Sequence, residues 1–280
     1  MKKIGMIKSE KAVSEVLGMV MILSIMMVVI GAILLVGVPM IESGKSRARM
    51  DVSMNSFLSM QNGIEEVVRG PIWIPDSDVT GPGPSREMQF ELMGGMLSVL
   101  PYKQEFEVKD SKNITIHPSN ITYAAGEERI IYENGAVIRK YEDGVAMMVS
   151  NPLISIYKTD DINITVSIHA ISLNGTLSSS GGEGKAFVET RLLNYTPIIE
   201  RSNSGQININ LTSEHPEAWE AFFDTKLKNM GLLRHDTINT TGYYISNGPT
   251  QLQVQVYGTS TGVNDIFLSV VESKLDINIR

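Results

Sequence analysis

The chain has 280 residues, a formal net charge of −7 and no cysteine, which excludes disulfide stapling, thiolate catalysis and cysteine-ligated metals. Charge is unevenly divided: residues 1–50 carry seven basic and three acidic side chains, a net of +4, and the remainder stands at −11. That acidic bulk disfavours nucleic acid as a partner, and about 230 residues are enough to bury a core without staples.

The chain begins with Lys2, Lys3, Lys8 and Lys11 set against Glu10 and Glu15, and Val16 through Ile41 then form 26 residues without a charge. As a helix this run reaches about 39 Å, more than the roughly 30 Å of bilayer hydrocarbon. A cleavable secretion signal has an apolar region of about 7 to 15 residues before a small-x-small site, so a retained membrane span is the better reading. A buried core helix of a soluble protein fits poorly with the basic residues on both flanks. Lys45, Arg47 and Arg49 against Glu42 leave only a slight preference for a cytoplasmic leader. The N-x-[ST] acceptors say more. They occur at Asn113, Asn120, Asn163, Asn174, Asn194, Asn210 and Asn239, none of them before residue 100, and a glycan requires an exposed asparagine outside the cytoplasm. The expected placement is the cell membrane, single-pass, with the C-terminal domain extracellular.

Beyond the apolar run, Pro39 is positioned to kink the helix by removing one intrahelical hydrogen bond. Met50, Met54, Phe57, Leu58, Gln61, Ile64, Val67 and Val68 then recur mostly three or four apart, the stripe of an amphipathic helix. Gly70-Pro71 ends the pattern, which predicts one kinked helix over 13–70. Residues 71–90, rich in Pro, Gly and Asp at their start, read as a linker or loop. From there to residue 280 strand signals dominate. Asn134-Gly135 and Asp143-Gly144 punctuate alternating segments as hairpin turns do, and "INITVSIHAISL" and "KAFVETRLL" read as a hairpin around "NGTLSSSGGEG". One helix interrupts them: "HPEAWEAFFDTKLKNMG" has an early proline, late lysines and a closing glycine, with Trp219, Phe223 and Leu227 on a face expected to pack on a sheet. The fold class is therefore α+β: a long kinked N-terminal hydrophobic helix, then a mainly antiparallel β-rich globular domain with one additional helix.

Catalytic signals are weak. His117, His169, His215 and His235 have no helical zinc spacing. "SSSGGEGKAF" lacks the first glycine of a phosphate loop and carries Ala186 where a magnesium-binding hydroxyl belongs, so it reads as a hairpin tip. The acidic pairs at 76–78 and 160–161 lack the alternating ligands of a calcium loop, and no G-x-S-x-G elbow occurs. The expectation is a protein that is not an enzyme and uses no cofactor or metal.

The segment "KSEKAVSEVLG" resembles the amino terminus of archaeal type IV pilins and pilin-like surface proteins, whose preproteins carry a class III signal. The resemblance covers a fifth to a quarter of the chain. It implies that a prepilin peptidase cuts after Lys11 and Ala12, removing residues 1–12 and leaving Val13 as the new first residue. Glu15 and Gly18 then fall among the positions that look like the pilin assembly start. Expected partners are that peptidase, a pilus assembly platform, membrane lipid before assembly, and self or related pilins through the N-terminal helix. Glu15 would be the third mature residue, whereas bacterial-type pilins carry a glutamate at the fifth, and an outer domain of about 210 residues is large for a major pilin. The glutamate's place leaves the register open, and the large domain favours a minor pilin or pseudopilin over a bulk subunit, structural or adhesive, of a surface filament. The alternatives are a single-pass surface glycoprotein or binding module that never polymerises, and an anchored extracellular hydrolase.

Overall fold

The computed structural model describes residues 6–69, 84–100, 105–109, 113–117, 119–159, 163–175, 177–237, 241–258 and 266–280. The chain divides into two compact units, residues 1–49 and 50–280. Helix α1 (Met6–Val68) supplies all of the described first unit and the opening of the second, and Pro39 lies inside it without ending it. It starts earlier than the predicted 13, so residues 6–12 of the leader are already helical. The Gly70-Pro71 stop lies outside the described residues.

In the second unit α1 buries the predicted stripe. Met50, Phe57 and Ile64 are fully shielded and Met54, Met60, Val67 and Val68 nearly so, with Leu58 half-buried beside them. Each large apolar side chain so buried contributes about 1.5–3 kcal/mol. Gly63 lies against β1 on α1, and a Cβ there would meet Met88 Sδ at 2.6 Å, so the half-buried methionine would have to swing aside.

Strands β1 (Ser85–Glu91), β2 (Met96–Leu100), β3 (Phe106–Lys109), β4 (Asn113–Ile116), β5 (Asn120–Ala125) and β6 (Glu128–Glu133) follow. After them come β7 (Ala136–Lys140), β8 (Ala146–Ser150), β9 (Ile154–Lys158), β10 (Ile164–Gly175), β11 (Ser178–Gly181), β12 (Lys185–Ser204) and β13 (Ile207–Thr212). Helix α2 (Pro216–Asn229) precedes β14 (Arg234–His235), β15 (Gly242–Asn247), β16 (Gln251–Gly258) and β17 (Ile266–Ile279). Since β1 begins at Ser85, the end of the predicted 71–90 linker is strand; residues 70–83 are outside the described set.

Three sheets result: β1-β12-β17-β10-β9, β11-β2-β5-β6-β7-β8, and β14-β15-β16-β13-β3-β4. Pairing is antiparallel except for β10 with β17 and β14 with β15. The hairpin expected between β10 and β12 does not form. Strand β17 inserts between them, pairing with β10 on one edge and β12 on the other, and Ser178–Gly181 pairs with β2 instead. A C-terminal strand of fourteen residues satisfies the backbone of both neighbours, a pairing that local turn chemistry does not reveal.

The first sheet serves two cores. In β10 the even-numbered Ile164, Val166, Ile168 and Ala170 join one cluster, and the odd-numbered Ile171 and Leu173 join another. Strand β17 switches the same way, from Ile266, Leu268 and Val270 to Leu275, Ile277 and Ile279. Side chains alternate across a strand with period two, so the sheet packs one face at one end and the opposite face at the other. The first core holds the third sheet, α2 and Ala136, Ile138 and Ala146 of the second sheet; the second holds the end of α1 and the rest of the second sheet's buried face. Helix α2 packs as predicted, with Trp219, Phe223 and Leu227 fully buried. Arg234 ties its outer side down through Glu220 (2.6 Å) and Asp224 (3.1 Å).

Candidate functional site

The first candidate is the apolar part of α1. From Val16 to Ile41 twenty large apolar side chains are exposed, Leu35 to 78% and Met19 to 74%. Its most apolar stretch has a mean hydropathy of 3.0 with none of it buried, long and apolar enough to cross a membrane or to act as a signal sequence. At about 1.5 kcal/mol each, twenty such side chains left in water forfeit about 30 kcal/mol, more than the 5–15 kcal/mol net stability typical of a domain. This surface therefore requires an apolar medium. Its one central hydroxyl, Ser24, is satisfied internally by donating to Val20 O at 2.8 Å. Glu15 and Gly18 are exposed on the same helix, and Lys11, Ala12 and Val13 lie in helical backbone.

The sequons separate by burial. Asn174 and Asn194 are exposed, and Asn194 Nδ2 donates to Thr196 Oγ1 at 3.0 Å within its own sequon. Asn163 and Asn210 are half-buried, with Asn210 Nδ2 donating to Glu107 Oε2 at 2.9 Å. Asn120 departs from the expectation: it is 7% exposed, and its Oδ1 is shielded without a partner, so the folded domain does not present the accessible amide that a glycan needs. Asn113 opens β4, and Asn239 lies outside the described residues.

Histidines do not converge on a metal, and no group of three His, Asp or Glu side chains able to hold one occurs among the described residues. His169 Nε2 lies 2.8 Å from Ser273 Oγ, with Tyr195 edge-on to its ring at 6.0 Å. Burial, and then the charge of Arg69, lower the His169 pKa. Ser273 is fully buried, so its hydroxyl is out of reach of a substrate, and the pair reads as a cross-strand clamp. His215 is also held below its ordinary pKa by burial, against the opposing pull of Glu217.

Sequence reasoning missed the polar junction around the Asn134–Gly135 turn. Both residues have positive φ, 45° and 86°, as the two central positions of a type I′ turn require. Unlike most turns this one is buried. Gln61 Nε2 of α1 donates to Gly135 O at 2.7 Å and to Asn151 O at 2.9 Å, and the Ile171 amide donates to Asn134 Oδ1 at 3.0 Å. The fully buried Glu133 accepts from Trp219 Nε1 at 3.0 Å and from Ser213 Oγ at 3.1 Å. The lone amide in the apolar stripe of α1 was the available signal. Nearby, Arg139 bridges Glu128 (2.9 Å) and Asp51 of α1 (3.2 Å) over the ring of Tyr141.

A family model described as a family of unknown function, DUF7289, matches residues 11–261. No curated protein and no solved structure matches the chain.

Proposed function

We propose that this chain, which belongs to the family of unknown function DUF7289, is a membrane-inserted, pilin-like subunit, a minor pilin that joins or primes an extracellular surface filament and does no chemistry of its own. The observation that carries this reading is the wholly exposed apolar surface of α1 running into a β-rich domain. A helix apolar on every side exchanges lipid for neighbouring helices at little cost, because both surroundings are apolar. Repetition of one heterologous contact then builds an open helical assembly. The order of elements is that of a pilin, and "KAVSEVLG" supplies the resemblance at the processing point. The exposed Asn174 and Asn194 suit a domain on the outer surface. Prepilin peptidase, an assembly platform and related pilins are the partners in this reading.

The test is the amino-terminal sequence and intact mass of the protein from native membranes and from sheared surface fractions. A start at Val13, with the protein in the sheared fraction, is expected. Processing should fail when Ala12→Glu places a charged side chain at the cleavage point. A retained Met1 confined to membranes, or unchanged processing of the variant, would overturn the assignment and leave a single-pass surface glycoprotein.

A further inference from the structure

The third sheet has one apolar and one polar face, and the polar face is built from amides. Strands β13 and β16 alternate with period two: Ile207, Ile209, Leu211, Leu252, Val254 and Val256 enter the core, which turns Asn208, Asn210, Gln253 and Gln255 to the other side. Register sets them in rows. Asn208 stands opposite Gln255 and Asn210 opposite Gln253, with Thr212 opposite Gln251. The rows extend outward to Tyr244 and Ser246 of β15 on one flank and to Lys109 and Glu107 of β3 on the other. Asn is depleted in strands, and here two stand side by side in β13 opposite two Gln of β16. Here the centre of the face is amide throughout.

Most of these groups are only half-exposed, and one end of the face, with Asn210, Thr212, Ser246, Gln251 and Gln253, lines a shallow cleft of about 360 Å³. The Gln251 and Gln253 amides have no side-chain partner among the described residues, whereas Asn210 is held by Glu107 and Gln255 accepts from the Tyr257 hydroxyl. At the far end burial, and then the neighbouring Tyr244, raise the Tyr257 pKa.

We infer that this face binds a neutral polysaccharide. The Gln251 and Gln253 amides each offer two donors and an acceptor in one plane, the complement of the mixed donor and acceptor hydroxyls of a sugar, while Asn208, Asn210 and Gln255 keep part of that capacity beside their partners Gln206, Glu107 and Tyr257. Rows about 5 Å apart across strands and about 7 Å apart along them present such pairs repeatedly along an extended chain, and the tyrosines supply apolar ring faces for sugar carbons beside a polar edge. Other occupants fit less well. Glu105 and Glu107 at the cleft repel polyanions, and two tyrosine rings among amides and carboxylates make too small an apolar area to hold a lipid surface. A peptide strand would pair with a sheet edge and not with a face. The inference goes beyond the filament reading, since the site serves an anchored monomer and a polymer alike.

The experiment uses the full chain in phosphatidylcholine nanodiscs, free of sugar-based detergent, passed over immobilised mannan, β-glucan and galactan, with heparin as a charged control. Retention on at least one neutral polysaccharide, and at least tenfold weaker retention of Gln251→Ala/Gln253→Ala, is the expected result. Thermal midpoints of wild type and variant should agree, because both side chains are surface groups. Lack of retention on all three matrices overturns the inference, as does retention on heparin alone or retention that the double variant keeps. None of these results depends on where the amino terminus is cut.

Discussion

Gln61 offers the sharpest test of what fixes α1 to the β domain. Its Nε2 donates to two backbone carbonyls from different loops, Gly135 at 2.7 Å and Asn151 at 2.9 Å, and the side chain is 3% exposed. Gln61→Met keeps the length and volume and removes both donors. Each lost bond is worth about 0.5–1.5 kcal/mol net, and a carbonyl left buried without a partner costs about 1–3 kcal/mol. With the Asn151 oxygen only partly buried, the expected loss is about 2–4 kcal/mol. Gln61→Glu adds a direction. A carboxylate facing two carbonyl oxygens is destabilising, whereas the neutral acid can donate to one of them, so its folded-state pKa lies above the unfolded value of about 4.3. The folded state then binds more protons than the unfolded state, and stability falls as pH rises from about 4 toward 7. The assay is urea denaturation of the full chain in lipid nanodiscs, followed by tryptophan fluorescence at pH 4.5 and 7. A Gln61→Met variant within about 0.5 kcal/mol of wild type, below the cost of one ordinary hydrogen bond, would refute the account, as would a Gln61→Glu deficit that shrinks with rising pH.

Three other outcomes follow from the geometry. Gly95→Ala should lose about 1–3 kcal/mol, because the new methyl would collide with the Tyr123 ring, whose hydroxyl donates to Leu92 O at 2.7 Å; the denaturation midpoint reads this directly. The lowered pKa values of His169 and His215 mean that the unfolded chain takes up protons first as pH falls below about 6.5. Wild-type stability should therefore drop between pH 7 and pH 5, and His169→Asn should flatten part of that drop in a pH series of melting temperatures. On the membrane-inserted reading proposed above, Ile25→Lys should cost about 2.5–3.5 kcal/mol of insertion free energy, measured as the inserted fraction in a translocation assay.

Long-period features of this chain were legible and pairing was not. The α1 stripe from Met50 to Val68 and the α2 face of Trp219, Phe223 and Leu227 are readable because helical periodicity is a local property. The Asn134–Gly135 turn was readable because few residue pairs accept positive φ at both central positions. That the turn is buried, with Gln61 on one side and Glu133 anchoring Trp219 on the other, depends on residues more than seventy positions apart. The insertion of β17 between β10 and β12 is likewise invisible to turn chemistry. The sequon at Asn120 shows the same limit: an acceptor motif is a code over three residues, while burial is set by the whole sheet. The amide face was written in "QININL" and "TQLQVQVYG", but only the register of β13 with β16 makes it a surface.

The switch of sides along β10 and β17 has a consequence for how the second unit fails. Each core is lined by opposite faces of the same continuous strands, so neither can melt without pulling the backbone out from under the other. The unit should therefore unfold in one cooperative transition and leave a protease no half-open intermediate to cut. Extracellular domains of many kinds obtain that resistance from disulfides. In a chain without cysteine, two shared strands couple the cores without any cross-link, whatever the compartment.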